Sequence, residues 1–367
     1  MVHIVDASPQ DFLNDIQGKK LFLFGAGKRA RYLCDTYNLG NYIEAIIDND
    51  DKLLGNFFIH NNKKIPILGI DYLIKVAKKV GIESLLLLIT PVYYGASVIE
   101  QLDKISILAN LKCYMGRLLD DYYEKSDFSF TVGVDKIPKK IHYCWFGNKR
   151  MPIHLERYVH TWREKCPEYK IIKWDESNYD ITKNRYMAEA YECQKWGFVP
   201  DYARLDIIYN EGGIYLDTDV ELISSLDNLL KDKMFCGFNC YGLINLGLGF
   251  GAAPHNNFIK KLRDVYTNKS FYNNDKSMNL TSCSWYQHPV FKENGFRINN
   301  EYQKKDGIVI YPSEVLAPTG GSGFSENFTD KTVSIHHAEL SWISNDAKKE
   351  YERGKKILKR RLDKIVN

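Results

Sequence analysis

Gly197 to Ile223 read "GFVPDYARLDIIYNEGGIYLDTDVELI". Pro200 and Asp201 predict the start of a helix, because proline is preset for a first helical turn and an acid suits its positive end; Gly212 and Gly213 predict its stop. Leu205, Ile208 and Tyr209 fall at helical spacing and mark the buried stripe. Asp201 and Arg204, three apart, project from one side close to that stripe. A guanidinium there needs a carboxylate or a phosphate, and its fork suits a diphosphate well. After the glycines, "IYLDTDVEL" reads as one strand, with Tyr215, Asp217 and Asp219 on one face and Leu216, Thr218 and Val220 on the other. Two carboxylates on one face repel unless a cation sits beside them, and such oxygen ligands favour Mg²⁺ or Mn²⁺ with substrate phosphates in the remaining positions. Two readings stand beside the metal: a solvated pair at a strand end, and the nucleophile pair of an aspartate-dependent phosphatase. The phosphatase pattern wants Thr or Val two positions after the second aspartate, where this chain has Glu221.

Upstream, the chain alternates short apolar runs with helical patterns: "KLFLFGAG", "RARYLCDTY", "YIEAIIDND", "IDYLIKVAKKV", "IESLLLLIT". That alternation implies a parallel sheet with helical crossovers. Gly25-Ala26-Gly27-Lys28-Arg29-Ala30 is a GxGxxA turn between strand and helix, and Asp48 and Asp50 close the next strand where a dinucleotide-binding fold keeps its ribose carboxylate. The turn serves either a bound nucleotide, through Gly25, Gly27 and Asp48, or tight strand-to-helix packing. A hydrophilic passage, "DDYYEKSDFSFTVGVDKIPKK", then separates this unit from a second that opens with "KIHYCWFG". The expected class is α/β: a Rossmann-like parallel-sheet domain over 1–130, a second α/β domain over 131–345, and a basic helix over 346–367.

Composition narrows the function. The net charge of +4 is concentrated at one end, since 345–367 carry nine Lys/Arg against four Asp/Glu and the remainder sums to −1. That argues against a nucleic-acid partner for the body. The N-terminus shows no charged-then-apolar targeting pattern, the longest fully apolar run is "LLLLI", and the scattered cysteines read as reduced thiols, so a cytoplasmic protein is expected. In the tail, Tyr351, Ile357, Leu358, Leu362 and Ile365 form a partial apolar stripe. It either packs on the body, or its basic helix meets an anionic inner-membrane surface where lipid-linked acceptors sit.

Three separated motifs, "IPKKIHYCWFGNKRMP" (137–152), the 199–222 block and "VSIHHAELSW" (333–342), together resemble the DXD-containing glycosyltransferases of the family 32 type. These include initiating mannosyltransferases and capsular-polysaccharide transferases, and are related to the large clostridial glucosylating toxins. The resemblance implies a GT-A fold over 137–343, a nucleotide-sugar donor (a UDP-sugar favoured), a divalent cation and retention of anomeric configuration. It assigns Trp145 to stacking on the donor base, Asp201 to donor-sugar hydroxyls, Arg204 to diphosphate or sugar, and Tyr215 to the pocket wall. Asp217 would contact ribose, sugar and metal-bound water, Asp219 would hold the metal directly, and Trp342 would reach the leaving phosphate through its indole N–H. His337 takes the position of a further metal ligand, with His336 as the alternative, and Leu340 stands where the toxins have a metal-supporting hydroxyl. "INLGLGFGAAPHN" (244–256) is either a wall where a sugar approaches backbone or plain strand packing. "QHPVF" (287–291) departs from the Gly-Pro found in many relatives.

The expected function is therefore metal-dependent hexosyl transfer to a glycan or lipid-linked glycan, in surface or capsular polysaccharide synthesis. Two alternatives belong to other classes: a sugar-nucleotide-dependent oxidoreductase resting on the GxGxxA turn, and a non-catalytic nucleotide-sugar binder.

Overall fold

A computed structural model describes residues 1–122, 127–320, 323, 325–340 and 343–366 of the chain. It divides into two compact units, Met1–Tyr122 with Gly320–Ser325 and Ile343–Asn367, and Tyr123–Thr319 with Glu326–Trp342.

The first unit is built on a seven-stranded sheet with spatial order Phe57–His60, Lys63–Leu68, Ile43–Ile47, Lys20–Phe24, Leu85–Ile89, Lys112–Met115, His3–Ile4. Every neighbouring pair is parallel except the hairpin at the Phe57–His60 edge. This is the α/β alternation the sequence predicts. Leu85–Ile89 is apolar throughout because this interior strand is buried on both faces. The C-terminal helix Asn345–Val366, which composition alone sets apart, completes this core: Leu358 is fully buried in the same cluster as Val98, Ile99 and Leu102, and Ile357 and Leu362 pack against it. Arg353 pairs with Glu100 and Arg361 with Asp103, so part of the tail's basic charge is neutralised within the unit. Among the described residues no helix is long and apolar enough to cross a membrane.

The second unit carries a mixed seven-stranded sheet, ordered Gln303–Lys305, Ile308–Tyr311, Met234–Gly237, Phe250–Ala252, Gly213–Tyr215, Lys140–Cys144, Lys170–Trp174. Lys140–Cys144 runs parallel to both of its neighbours, so the segments that follow it and Gly213–Tyr215 leave the sheet at the same edge. One face is covered by helix Ile153–Lys165, whose Trp162 is fully buried; the other packs on helix Pro200–Glu211.

The predicted helix over the opening motif is present as Pro200–Glu211, and it is buried from Ala203 to Ile208 on all sides. The single strand predicted across "IYLDTDVEL" is not. Gly213–Tyr215 belongs to the main sheet, while Val220–Leu222 pairs antiparallel with Ser334–His336 in a separate two-stranded sheet. Between them the chain turns, with Val220 N–H donating to Asp217 O at 3.1 Å. Alternation along one strand therefore does not set where the aspartates point; the turn does.

The turn before the strand is fixed by sterics. Gly212 and Gly213 have φ of 62° and 99°, in the left-handed region that glycine adopts without strain, and a Cβ on Gly213 would lie 2.8 Å from Lys140 O and 3.0 Å from His142 Nε2. His142 bolts this junction. Trp174 Nε1–H donates to its Nδ1 at 3.0 Å, which leaves Nε2–H to donate to Gly212 O at 3.0 Å. Burial pushes the imidazole down to about 4, so it is neutral with both nitrogens satisfied.

Candidate active site

Arg204 is the centre of the site. The helix places it three residues after Asp201, and Nη2 donates to Asp201 Oδ1 at 2.9 Å, while Nη1 lies 3.5 Å from Asp217 Oδ2 across the strand boundary. Its Nε–H donates to Pro200 O at 3.1 Å, and its guanidinium lies over the Tyr215 ring at 5.2 Å. A buried guanidinium flanked by two carboxylates and an aromatic face keeps its charge in place of hydration. Burial raises the Asp201 carboxyl to about 7 against the pull of Arg204, and it raises the Asp217 carboxyl in the same way.

Asp217, Asp219 and His336 come together, with one ligand atom from each lying within 4.8 Å of the others. Asp219 Oδ2 accepts from the Glu339 N–H at 2.9 Å, leaving Oδ1 facing His336 Nε2 at 3.4 Å. Burial opposes the Asp219 charge, but His336 and the Glu339 amide outweigh it and hold the carboxyl down to about 2. Facing Asp219, His336 is in turn pushed up against the effect of burial. Two carboxylates and an imidazole suit Mn²⁺ or Mg²⁺.

His337, the ligand expected first, does not join this group. Its Nε2 sits 2.8 Å from Glu221 Oε2 and its ring stacks on Tyr158 at 4.1 Å. Successive residues leaving a strand point to opposite sides, so when His336 faces Asp219 its neighbour faces away. The alternative residue, His336, is the one placed with the aspartates. Trp342 lies outside the described residues.

The glycine-rich segment comes closest at Gly247, where an added Cβ would lie 2.5 Å from Asp217 Oδ2 and 3.3 Å from Arg204 Nη1. Its carbonyl accepts from Asp217 N–H at 3.3 Å. Backbone thus forms the wall behind the carboxylate. Tyr215 is buried beneath Arg204. Trp145 stands just past the end of Lys140–Cys144, partly buried, its indole N–H donating to Lys149 O at 2.6 Å.

Several residues touching this network carry no signal in the sequence. The Tyr186 hydroxyl lies 3.4 Å from Asp201 Oδ2, and Cys283, at the start of helix Cys283–Glu293, hydrogen-bonds the same carboxylate. Both come from elements distant in sequence, and only packing brings them to Asp201.

In the N-terminal unit, Asp48 closes the glycine loop on itself. Its Oδ2 accepts from Ala26 N–H at 2.7 Å and its Oδ1 from Asp50 N–H at 3.0 Å. Gly25 has φ 98° and no room for a side chain, since a Cβ would lie 2.8 Å from Thr90 Oγ1; Gly27 precedes helix Lys28–Tyr37 as its N-cap. The geometry is that of a tight strand-to-helix junction, with the expected ribose carboxylate engaged by backbone.

Residues 152–236 match the family model described as "Glycosyltransferase sugar-binding region containing DXD motif". The match covers this segment of the chain and includes the DXD pair. The DXD segment carries helix Ile153–Lys165, Asp201, Arg204, Asp217 and Asp219, while His336 lies beyond it. The chain is similar to "Subversion of eukaryotic traffic protein A" of Legionella pneumophila, 32% identical over 112 residues, covering 23% of this chain and 17% of that protein. It is 28% identical over 120 residues to "Inositol phosphoceramide mannosyltransferase 1" of Schizosaccharomyces pombe, covering 30% and 36% respectively. To "Uncharacterized glycosyltransferase L373" of Acanthamoeba polyphaga mimivirus it is 26% identical over 215 residues, covering 57% and 71%. The chain thus spans well under half the length of the first two relatives.

Proposed function

We propose that this protein is a metal-dependent glycosyltransferase of GT-A type that moves a hexose from a nucleotide sugar, UDP-hexose favoured, to a glycan or lipid-linked glycan acceptor. The observation that carries the reading is the chain Asp201–Arg204–Asp217, buried at its first two residues and partly open at Asp217, which ends beside the ligand set of Asp217, Asp219 and His336. A plain structural ion pair explains the first two residues but not a second carboxylate and an imidazole gathered at its open end.

In this proposal Asp219 and His336 hold Mn²⁺ or Mg²⁺ directly, with Asp217 beside them. The ion, when bound, supplies positive charge for a diphosphate. Asp201 and Asp217 orient donor hydroxyls, and Arg204 meets the negative charge that grows as the nucleoside diphosphate departs. Because Arg204 is preset between two carboxylates, little reorganisation accompanies that charge development. Trp145 stacks on the donor base and Trp342 donates to the leaving phosphate. Transfer proceeds with retention, by attack of the acceptor hydroxyl on the face the diphosphate leaves.

A cytoplasmic role in surface or capsular polysaccharide synthesis completes the proposal. Any contact with an anionic membrane surface would rest on charge alone. The apolar residues Ile357, Leu358 and Leu362 are turned into the first unit, and the outward residues Lys349, Lys356, Lys359 and Arg360 alternate with Glu352 and Asp363. At about 1 kcal/mol per net basic residue, such a surface holds weakly.

The test is hydrolysis and transfer from a panel of UDP- and GDP-sugars with and without Mn²⁺, with the product anomer read by NMR. We expect slow metal-dependent release of the nucleoside diphosphate from one donor. Turnover that survives excess chelator rules out the metal role, and reduction of NAD by a nucleotide sugar would replace transfer with oxidation.

A further inference from the structure

We infer that Glu176 is a positioning residue for the nucleotide donor: through Gly147 it fixes the turn that carries Trp145, and with it the ring against which the donor base stacks. The inference rests on the glycosyltransferase reading and on the role proposed there for Trp145.

Strands Lys140–Cys144 and Lys170–Trp174 are parallel neighbours whose last paired residues are Cys144 and Trp174. One more backbone bond follows, Trp145 N–H donating to Trp174 O at 2.9 Å. The next contact is made by a side chain: Gly147 N–H donates to Glu176 Oε1 at 2.6 Å. Glu176 thus continues the pairing past the strand ends and satisfies an amide that the sheet no longer can. The same oxygen accepts from the Tyr191 hydroxyl at 2.9 Å. The Tyr191 ring, on helix Arg185–Glu192, meets Trp196 edge-on at 5.2 Å, and Trp196 lies against Gly147, where a Cβ would be 3.0 Å from its Cε2. Gly147 and Asn148 have φ of 95° and 52°, so the chain reverses here through two left-handed residues held by the contacts around them.

The turn is closed from its other side as well. Phe146 is buried and edge-on to Tyr179 at 6.3 Å, and Trp145 Nε1–H donates to Lys149 O at 2.6 Å. The Trp145 ring therefore cannot swing away unless the backbone of the turn moves, and that backbone is tied down at Gly147. The ring lines a cleft of about 460 Å³, within the ~300–1,000 Å³ typical of small-molecule sites. A stacking surface set before the ligand arrives spares the cost of ordering it on binding. Among the described residues no cation pairs with Glu176, and its Oε2 is buried without a partner. Burying a carboxylate for two neutral donors is costly where only packing is needed; what it secures is the Gly147 amide.

The test is calorimetric titration of the full chain with UDP and with GDP in the presence of Mn²⁺, run as a double-mutant cycle between Glu176 and Trp145. Glu176→Ala should weaken the better-bound nucleotide about tenfold, the worth of a hydrogen bond to a charged group. Glu176→Gln keeps a carbonyl oxygen for both donors and should stay within about threefold of the parent. In a Trp145→Ala background, Glu176→Ala should cost less than about twofold more, because its effect passes through the ring; a merely structural residue would add its full loss. In turnover with the nucleotide sugar, KM should rise while kcat holds. Should Glu176→Ala not fold, Tyr191→Phe, which removes one of the two bonds to Oε1, runs the same cycle with a smaller loss. Unchanged affinity in the single variant, or losses that add in the double variant, overturns the inference and leaves the glycosyltransferase reading standing. If the parent binds neither nucleotide, that reading fails and the inference falls with it.

Discussion

Gly247 and Asp217 are in backbone-to-carboxylate contact, close enough that a Cβ on the glycine would sit 2.5 Å from Asp217 Oδ2. Arg204 Nη1 lies 3.5 Å from the same oxygen and would itself be 3.3 Å from the added Cβ, so the new methyl crowds the carboxylate and its partner together. Gly247→Ala should therefore displace Asp217 while leaving the cores untouched. A displacement approaching 1 Å costs about a hundredfold in turnover, with thermal stability little changed. Equal turnover by variant and parent would show that Asp217 is not held in a working position.

The two neighbouring histidines separate cleanly. His336→Ala removes one member of the proposed ligand set and should weaken Mn²⁺ by roughly tenfold or more, since even outer-shell partners are worth about 10- to 100-fold. His337→Ala breaks the Glu221 contact and the Tyr158 stack and should leave Mn²⁺ affinity within about twofold by the same reasoning. Calorimetric titration of both variants checks this, and the reverse order would return the ligand to His337.

Arg204 is expected to be structural as well as functional. Arg204→Met strands Asp201 and Asp217 as neighbouring carboxylates without their cation, and breaking a buried pair this way costs about 3–5 kcal/mol. Adding Asp201→Asn removes one of those charges and should recover part of the loss in urea unfolding. If the double variant is no more stable than the single, the pair is not the source of the cost.

Acid should loosen the junction before the DXD turn. The His142 imidazole is held down to about 4 by burial, from an ordinary 6.5. Its contribution is thus fully present above pH 6.5, where both folded and unfolded states are neutral, and is lost as pH falls toward 4, because only the unfolded state takes up the proton. The slope is at most about 1.4 kcal/mol per pH unit. His142→Gln should be less stable than the parent at pH 7, with a flatter stability curve between pH 6.5 and 4; parallel curves would refute the assignment.

Leu358, fully buried in the first unit's core, makes the C-terminal helix a stability element. Leu358→Ala should cost about 2–5 kcal/mol, seen as a lower melting temperature, whereas Lys356→Ala on the outward face should change it little. A melting temperature unaffected by Leu358→Ala would mean the helix is dispensable to that core.

Sequence by itself determined the α/β alternation, the Pro200–Glu211 helix with its glycine stop, and the placing of Asp201 and Arg204 on one side of it, because each depends on neighbours within a helical turn or a strand period. It also marked Asp217 and Asp219 as a pair, and left the glycines at 247 to 251 as either a sugar-facing wall or plain packing. Tertiary structure decided the rest. That the DXD sits in a turn rather than a strand follows from Val220–Leu222 pairing with Ser334–His336, more than a hundred residues later. The same pairing turned His336 toward Asp219 and His337 toward Glu221, a choice that local sequence leaves open because the two are chemically identical neighbours on opposite sides of one strand. Asp48 likewise kept its predicted place, yet the fold spent its oxygens on the Ala26 and Asp50 amides. Spacing sets which residues can meet; long-range strand pairing and the exclusion of water from unpaired backbone set which of them do.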